Sequence, residues 1–175
     1  MKMTWSRKNR NQPRQSGTQI LEFALVLPFL VLLAMGIIEG GWFIRIHQVV
    51  SNAAREGARV ATAPNNNQFT DAGTHHNVLG EKAACDYLNQ NKNVFPGWTG
   101  GSCAETFSIS VEDVQPGDPD QITVTDPDGA TVVLSSTRAV VEYQYEMRYL
   151  PLAAFFSWSD SPLVLRGRAQ FRNLY

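Results

Sequence analysis

The sequence lacks the short motifs that mark common catalytic and nucleotide-binding sites. Gly-x-Ser-x-Gly, His-Glu-x-x-His, the phosphate-binding P-loop and paired Cys-x-x-Cys are all missing from its 175 residues. No nucleophile can be matched with a base, and no internal repeat is present. The sequence therefore predicts neither an enzyme nor a bound cofactor.

Acidic residues are missing from the first 17 positions, and charge of either sign is missing from residues 23–38. The leader nevertheless holds five of the fifteen basic residues, namely Lys2, Arg7, Lys8, Arg10 and Arg14. The rest of the chain has ten basic and all sixteen acidic residues, a net charge of −6. This acidic balance argues against a nucleic-acid partner.

The uncharged run predicts one membrane-spanning helix. With residues 40–44 it reaches the roughly 20 apolar residues that a helix needs to cross a bilayer core, which places the span at about residues 21–44. The basic leader holds the N-terminus in the cytoplasm and sends the chain after about residue 45 across the membrane. Residues 63–175 then form one small extracytoplasmic domain.

A cleaved secretory signal peptide is the alternative interpretation of this N-terminus. The apolar run is longer than the roughly 7–15 residues of a signal-peptide core, and Glu22 lies at its start. No A-x-A-like cleavage site follows the run. These details favour a retained span.

Helical periodicity continues beyond the span, because small or apolar residues recur every three or four positions up to Ala61. One long helix is therefore predicted over residues 18–62, with a local loosening at Pro28. A linker at residues 63–68 and a second helix in the later half of residues 71–91 follow.

From Thr106 onward the apolar period changes to two, which predicts strands separated by Pro-, Gly- and Asp-rich turns. The strands are expected near residues 107–111, 122–124, 132–134, 139–147 and 164–171. The predicted fold class is α+β, with the long N-terminal helix extending into a domain that has a helix and an antiparallel sheet.

Two motifs in residues 17–61 carry a resemblance to a known family. Gly17-Thr-Gln-Ile-Leu-Glu-Phe, behind the basic leader, resembles the processing site of type IV prepilins. Asn52-Ala-Ala-Arg-Glu-Gly-Ala-Arg-Val-Ala, together with the apolar run, is similar to the N-terminal region of TadE-like proteins. These are minor pilins, or pseudopilins, of the Tad (Flp-type, tight-adherence) pilus system.

The resemblance implies that a prepilin peptidase cuts after Gly17, leaving Thr18 as the new N-terminus and Glu22, beside Phe23, as the acidic position. It further implies a part in Tad pilus assembly in a bacterial inner membrane, with other pilins and the Tad assembly platform as partners. The domain would then be periplasmic or extracellular. A signal-anchored binding domain without a filament, or a tethered exported enzyme, remains the alternative.

Glu22 lies about one turn from that new helix end, where its side chain can reach the headgroups or a neighbouring subunit's terminal ammonium. Alternatively, it is a solvated residue at the membrane edge. Gly36 and Gly40 form a Gly-x-x-x-Gly surface for helix packing, or mark the outer edge of the span. Glu39 beside them then needs a partner or a position facing water.

Arg55, Glu56, Gly57 and Arg59 combine a charged stripe with small residues on the neighbouring stripe of the same helix. Docking of the domain on its own helix and contact with another subunit are both open interpretations, of which we favour the first.

The two cysteines, Cys85 and Cys103, both follow the span. An oxidising compartment favours a disulfide between them, and two buried thiols are the alternative. The adjacent His75 and His76 diverge on a helix and have no third ligand at helical spacing, so no metal site is predicted.

Overall fold

The computed structural model describes residues 16–63, 75–125, 127–146 and 163–173. The predicted leader, apart from its last two residues, and most of the predicted linker lie outside these ranges. The described elements are the helices α1 (Ser16–Ala61) and α2 (His75–Gln90), a short 3-10 helix (Lys92–Val94), and the strands β1 (Phe107–Asp113), β2 (Ile122–Thr125), β3 (Thr131–Leu134), β4 (Ser136–Tyr145) and β5 (Leu163–Arg172). The predicted α+β class is confirmed.

Helix α1 is continuous over 46 residues and passes through Pro28. At 1.5 Å per residue it is about 69 Å long. Its first half has every side chain exposed from residue 17 to residue 38, whereas Ile46, Val50 and Ala53 in its second half are fully buried. The helix thus has a bare N-terminal half and a C-terminal half that forms the centre of the domain.

The described strands form two antiparallel sheets. Strand β4 is the centre of a three-stranded sheet in the order β1-β4-β5, and β2 pairs only with β3 in a separate hairpin. Alternate residues of β4 are buried: Ala139, Val141, Tyr143 and Tyr145. This inward face packs against the helices, as strand periodicity requires.

Glycines allow the elements around α1 to approach very closely. A Cβ at Gly167 of β5 would lie 2.6 Å from the carbonyl oxygen of Val50, so no other residue fits there without a shift. A Cβ at Gly80 of α2 would lie 2.8 Å from the carbonyl oxygen of Gly57. The sheet and α2 therefore both rest directly on the backbone of α1.

An aromatic cluster closes the core beside α2. Phe95 contacts Phe107 edge-on with ring centroids 4.9 Å apart, and Tyr143 with centroids 5.1 Å apart. Trp98 lies 4.9 Å from Phe107. Such edge-to-face pairs fix side-chain geometry as well as burying apolar area.

Candidate functional site

The bare half of α1 is the largest exposed apolar surface in the described part of the chain. Leu21, Leu25 and Phe29 are 71%, 77% and 67% exposed. Of the helices described, α1 alone is long and apolar enough to cross a membrane, and none of its most apolar window is covered by the domain. A surface of this size needs a lipid or protein environment. The structure therefore has one N-terminal helix suited to a single-pass anchor.

Glu22 lies on this bare half, one helical turn after Thr18, and its side chain is exposed. No ion pair with Glu22 occurs among the residues that the structure describes. The carboxylate is thus available to a neighbouring charge once α1 is in the membrane. The predicted intersubunit role of Glu22 stays a prediction.

The face of α1 that carries Gly36 and Gly40 is open. A Cβ built at either glycine meets no atom within 4 Å, and the same holds for Gly41. This surface is flat enough for a second helix to approach closely. The described part of the chain places nothing of its own there, so the predicted helix packing would be with another molecule.

Glu39 marks the point where α1 enters the domain. Its side chain is buried, and the hydroxyl of Tyr145 at the end of β4 donates a hydrogen bond to its carboxylate. Phe43, one turn further, contacts the Tyr145 ring edge-on at 5.6 Å. The expectation that Glu39 needs a partner is met by Tyr145, a residue that sequence reasoning placed on a strand without connecting it to the helix.

Burial of the Tyr145 ring raises the pKa of its hydroxyl, and the hydrogen bond to Glu39 raises it further. The nearby negative charge of Glu39 acts in the same direction, because it opposes a second negative charge on the phenol. Tyr145 is therefore a neutral donor throughout the physiological range.

Trp42 and Arg45 lie just beyond Glu39 on α1. The guanidinium of Arg45 stands over the indole ring of Trp42, 5.8 Å from its centroid. Trp and Arg side chains are enriched where a helix leaves the hydrocarbon layer. They lie where the exposed apolar half of α1 passes into the domain.

The Arg55–Arg59 motif separates into two faces. Arg59 donates to Glu56 through Nε at 2.9 Å and through Nη2 at 2.6 Å, and this pairing lowers the pKa of Glu56 although partial burial opposes the shift. Gly57 is buried against α2, where a Cβ would lie 3.0 Å from the Gly80 carbonyl oxygen. Arg55 and Arg59 remain exposed on the outer surface of α1.

Cys85 of α2 and Cys103 form the expected disulfide. It ties α2 to the loop that leads into β1. Asn89 strengthens the same junction, since its side-chain oxygen accepts from the Gly101 backbone N–H at 2.6 Å.

His76 has a structural partner in Asp113, and Asp120 has two partners in the sheet. His76 Nε2 lies 3.0 Å from Asp113 Oδ2, and the hydroxyl of Thr137 donates to Asp113 Oδ1 at 2.7 Å. Asp120 accepts from Arg138 at 2.8 Å and also from Arg168. These contacts join α2 and the β1–β2 connection to the sheet. The side chain of His75 lies outside the described residues.

Comparison with known proteins gives a match for most of α1. Residues 17–59 match the family model described as TadE-like protein. Neither a curated protein nor a solved structure matches the chain. The matched segment includes the bare half of α1, Glu22 and the docked half with Arg55 and Arg59. Through residues 17–59 the chain is similar to the TadE-like family.

Proposed function

We propose that this protein is a minor pilin, or pseudopilin, that takes part in assembling a Tad (Flp-type) pilus. The observation that carries the proposal is the division of α1 into two halves. The first half is apolar and bare, and the second is the central helix of a folded domain. One rigid element then links a membrane-embedded segment to an exported head.

The family match over residues 17–59 supports the association with a Tad pilus. The minor-pilin role adds two events to that association: cleavage after Gly17 by a prepilin peptidase, and packing of the bare helix against other pilins. The proposed setting is a bacterial inner membrane, with the basic leader in the cytoplasm and the domain outside. The assembly platform of the system would be a further partner.

Glu22 has a defined place in this proposal. Cleavage leaves the Thr18 ammonium one turn away, and in a bundle of such helices a neighbour's ammonium can meet the Glu22 carboxylate. An unpaired charge within a membrane raises the free energy of the assembly. Subunits would therefore favour the register that pairs the Glu22 carboxylate with a neighbour's Thr18 ammonium. Glu22 would thereby direct assembly without contributing to the exported core.

A complementation experiment tests the function. A strain without the chromosomal copy receives the wild type, Glu22→Ala, or the control Glu105→Ala, which removes an exposed carboxylate from the domain. We expect few or no surface pili without the gene, full restoration by the wild type and by the control, and poor restoration by Glu22→Ala. Protease resistance and the intact disulfide of the variant would show that its domain is folded.

Normal piliation of the deletion strain would contradict the minor-pilin role and favour an anchored binding domain or a tethered enzyme. Wild-type piliation with Glu22→Ala would leave the pilin role standing but refute charge matching at this position.

A further inference from the structure

A groove of about 350 Å³ lies between α1 and the beginning of β5. Its lining residues are apolar apart from two basic ones, one from each element. The lining residues are Phe43, Ile44, His47, Val164, Leu165 and Arg166. None of these described lining residues is acidic. The groove thus combines a hydrocarbon-like wall with hydrogen-bond donors.

The groove lies at the level where α1 leaves the membrane. The bare run from residue 17 to residue 38 is about 33 Å long at 1.5 Å per residue, close to the roughly 30 Å of a bilayer core. If the core instead begins after Glu22, it ends near Trp42 by the same count. In either placement His47 is no more than about 14 Å beyond the end of the core, and Phe43 and Ile44 are closer to the core.

The opposite wall of the groove is at the same level. Leu163, the first residue of β5, pairs in register with Tyr145, and Tyr145 contacts Glu39 of α1. Leu163 and Val164 are 44% and 50% exposed, and Ile44 on the helix is 57% exposed. This end of the sheet therefore presents apolar side chains beside the part of α1 that enters the domain.

Arg166 can serve a ligand although it already has one partner. Its Nε donates to the Glu142 carboxylate at 2.6 Å, its Nη2 contacts the same carboxylate oxygen, and its side chain is 65% exposed. A guanidinium has five N–H donors, so others remain for a phosphate oxygen. His47 lines the opposite wall, and its imidazole has a ring N–H in either tautomer.

We propose that this groove binds the headgroup phosphate of an anionic phospholipid from the extracytoplasmic leaflet. The phosphate lies between Arg166 and His47, and the glycerol and upper acyl carbons lie against Ile44 and Val164. The proposal depends on insertion of α1 into a membrane and not on pilus assembly. It gives the exported domain a fixed depth at the membrane surface.

Native mass spectrometry of the full chain in a mild detergent, titrated with dioleoyl phosphatidylglycerol or dioleoyl phosphatidylcholine, tests the site. We expect one phosphatidylglycerol per chain, bound several-fold more tightly than phosphatidylcholine. Arg166→Gln should weaken phosphatidylglycerol binding about fivefold, the effect of one cation near an anionic lipid. Arg166→Lys should retain most of the binding.

Arg172→Gln is the matched control, because Arg172 lies on the same face of β5 but about 20 Å further along the strand. It should bind phosphatidylglycerol like the wild type. Equal losses in Arg166→Gln and Arg172→Gln, or equal binding of the two lipids, would overturn the site.

A second pair of variants separates a lipid from a free phosphate. Val164→Asn alters the apolar wall, and Val132→Asn alters a similarly exposed valine, 54% against 50%, on the β2–β3 hairpin. A lipid site predicts weaker phosphatidylglycerol binding for Val164→Asn alone, and no competition by millimolar inorganic phosphate. Unchanged binding by Val164→Asn, or displacement of the lipid by inorganic phosphate, would overturn the lipid assignment.

Discussion

The hydroxyl of Tyr145, at the end of the central strand, donates a hydrogen bond to the buried carboxylate of Glu39, 106 residues earlier in the chain. Glu39 is the first buried residue of α1 after 22 exposed ones, residues 17–38. The bond therefore lies where the bare half of the helix meets the domain. It joins the end of β4 to α1 at this junction.

Tyr145→Phe should lower the free energy of unfolding of the domain by about 1–2 kcal/mol, because it removes a buried donor to a carboxylate. Tyr143→Phe is the control: its ring is also buried on the inner face of β4, but no described hydrogen bond involves its hydroxyl. That variant should lose less than about 0.5 kcal/mol. Urea titrations of both proteins in detergent give the comparison, and equal losses would show that the Glu39 contact adds nothing.

The same bond predicts a dependence on alkaline pH. The pKa of Tyr145 is raised in the folded protein above its ordinary value of 10.0, mainly by burial and then by Glu39. The raised pKa of Tyr145 stabilises the folded protein fully below pH 10. Above pH 10 this stabilisation is progressively lost, because Tyr145 loses its hydroxyl proton in the unfolded chain at a lower pH than in the folded one. The stability difference between wild type and Tyr145→Phe should shrink above pH 10. A difference that stays constant up to about pH 11 would contradict the assignment.

Gly80→Ala should destabilise the packing of α2 on α1. The added Cβ would lie 2.8 Å from the backbone oxygen of Gly57, which no side-chain rotation relieves. Overpacking of this kind costs about 1–3 kcal/mol. Gly41→Ala, at a helical glycine with nothing within 4 Å, should leave thermal unfolding unchanged or slightly raised. If both variants melt at the wild-type temperature, the helices are not in the close contact described.

The Cys85–Cys103 disulfide, with a sequence separation of 18, should stabilise the domain by about 3 kcal/mol on the chain-entropy account. The double variant Cys85→Ser, Cys103→Ser should therefore melt at a lower temperature than the oxidised wild type. Reductant should lower the melting temperature of the wild type and leave that of the double variant unchanged. Two alkylatable thiols in freshly isolated, unreduced protein would refute the bond.

Local pattern was enough to predict most of the elements, although α2 begins at His75 and was expected only in the later half of residues 71–91. The three- and four-residue spacing predicted a helix over residues 18–62, and the structure has it over Ser16–Ala61. Alternation after Thr106 predicted strands, and the first of them begins at Phe107. Both patterns arise because one side of a helix or strand faces the core, and the spacing of apolar residues along the sequence shows which side that is.

Pairing between distant residues was not predictable in the same way. Periodicity placed Tyr145 on a strand but could not tell that β4 lies between β1 and β5, and this order brings Tyr145 to Glu39. Nor could it show that β2 and β3 form a separate hairpin. The close contact of Gly167 with Val50 also depends on the strand order. In the sequence, the glycine within a predicted strand was the only sign that another backbone approaches there.

The most direct test of the minor-pilin proposal is the N-terminus of the mature protein. Intact mass and N-terminal sequencing of membrane-extracted protein, from cells with and without active prepilin peptidase, measure it. The account predicts a chain that begins at Thr18 when the peptidase is active and at Met1 when it is not. Retention of Met1 in peptidase-competent cells, or a start beyond residue 40, would contradict it.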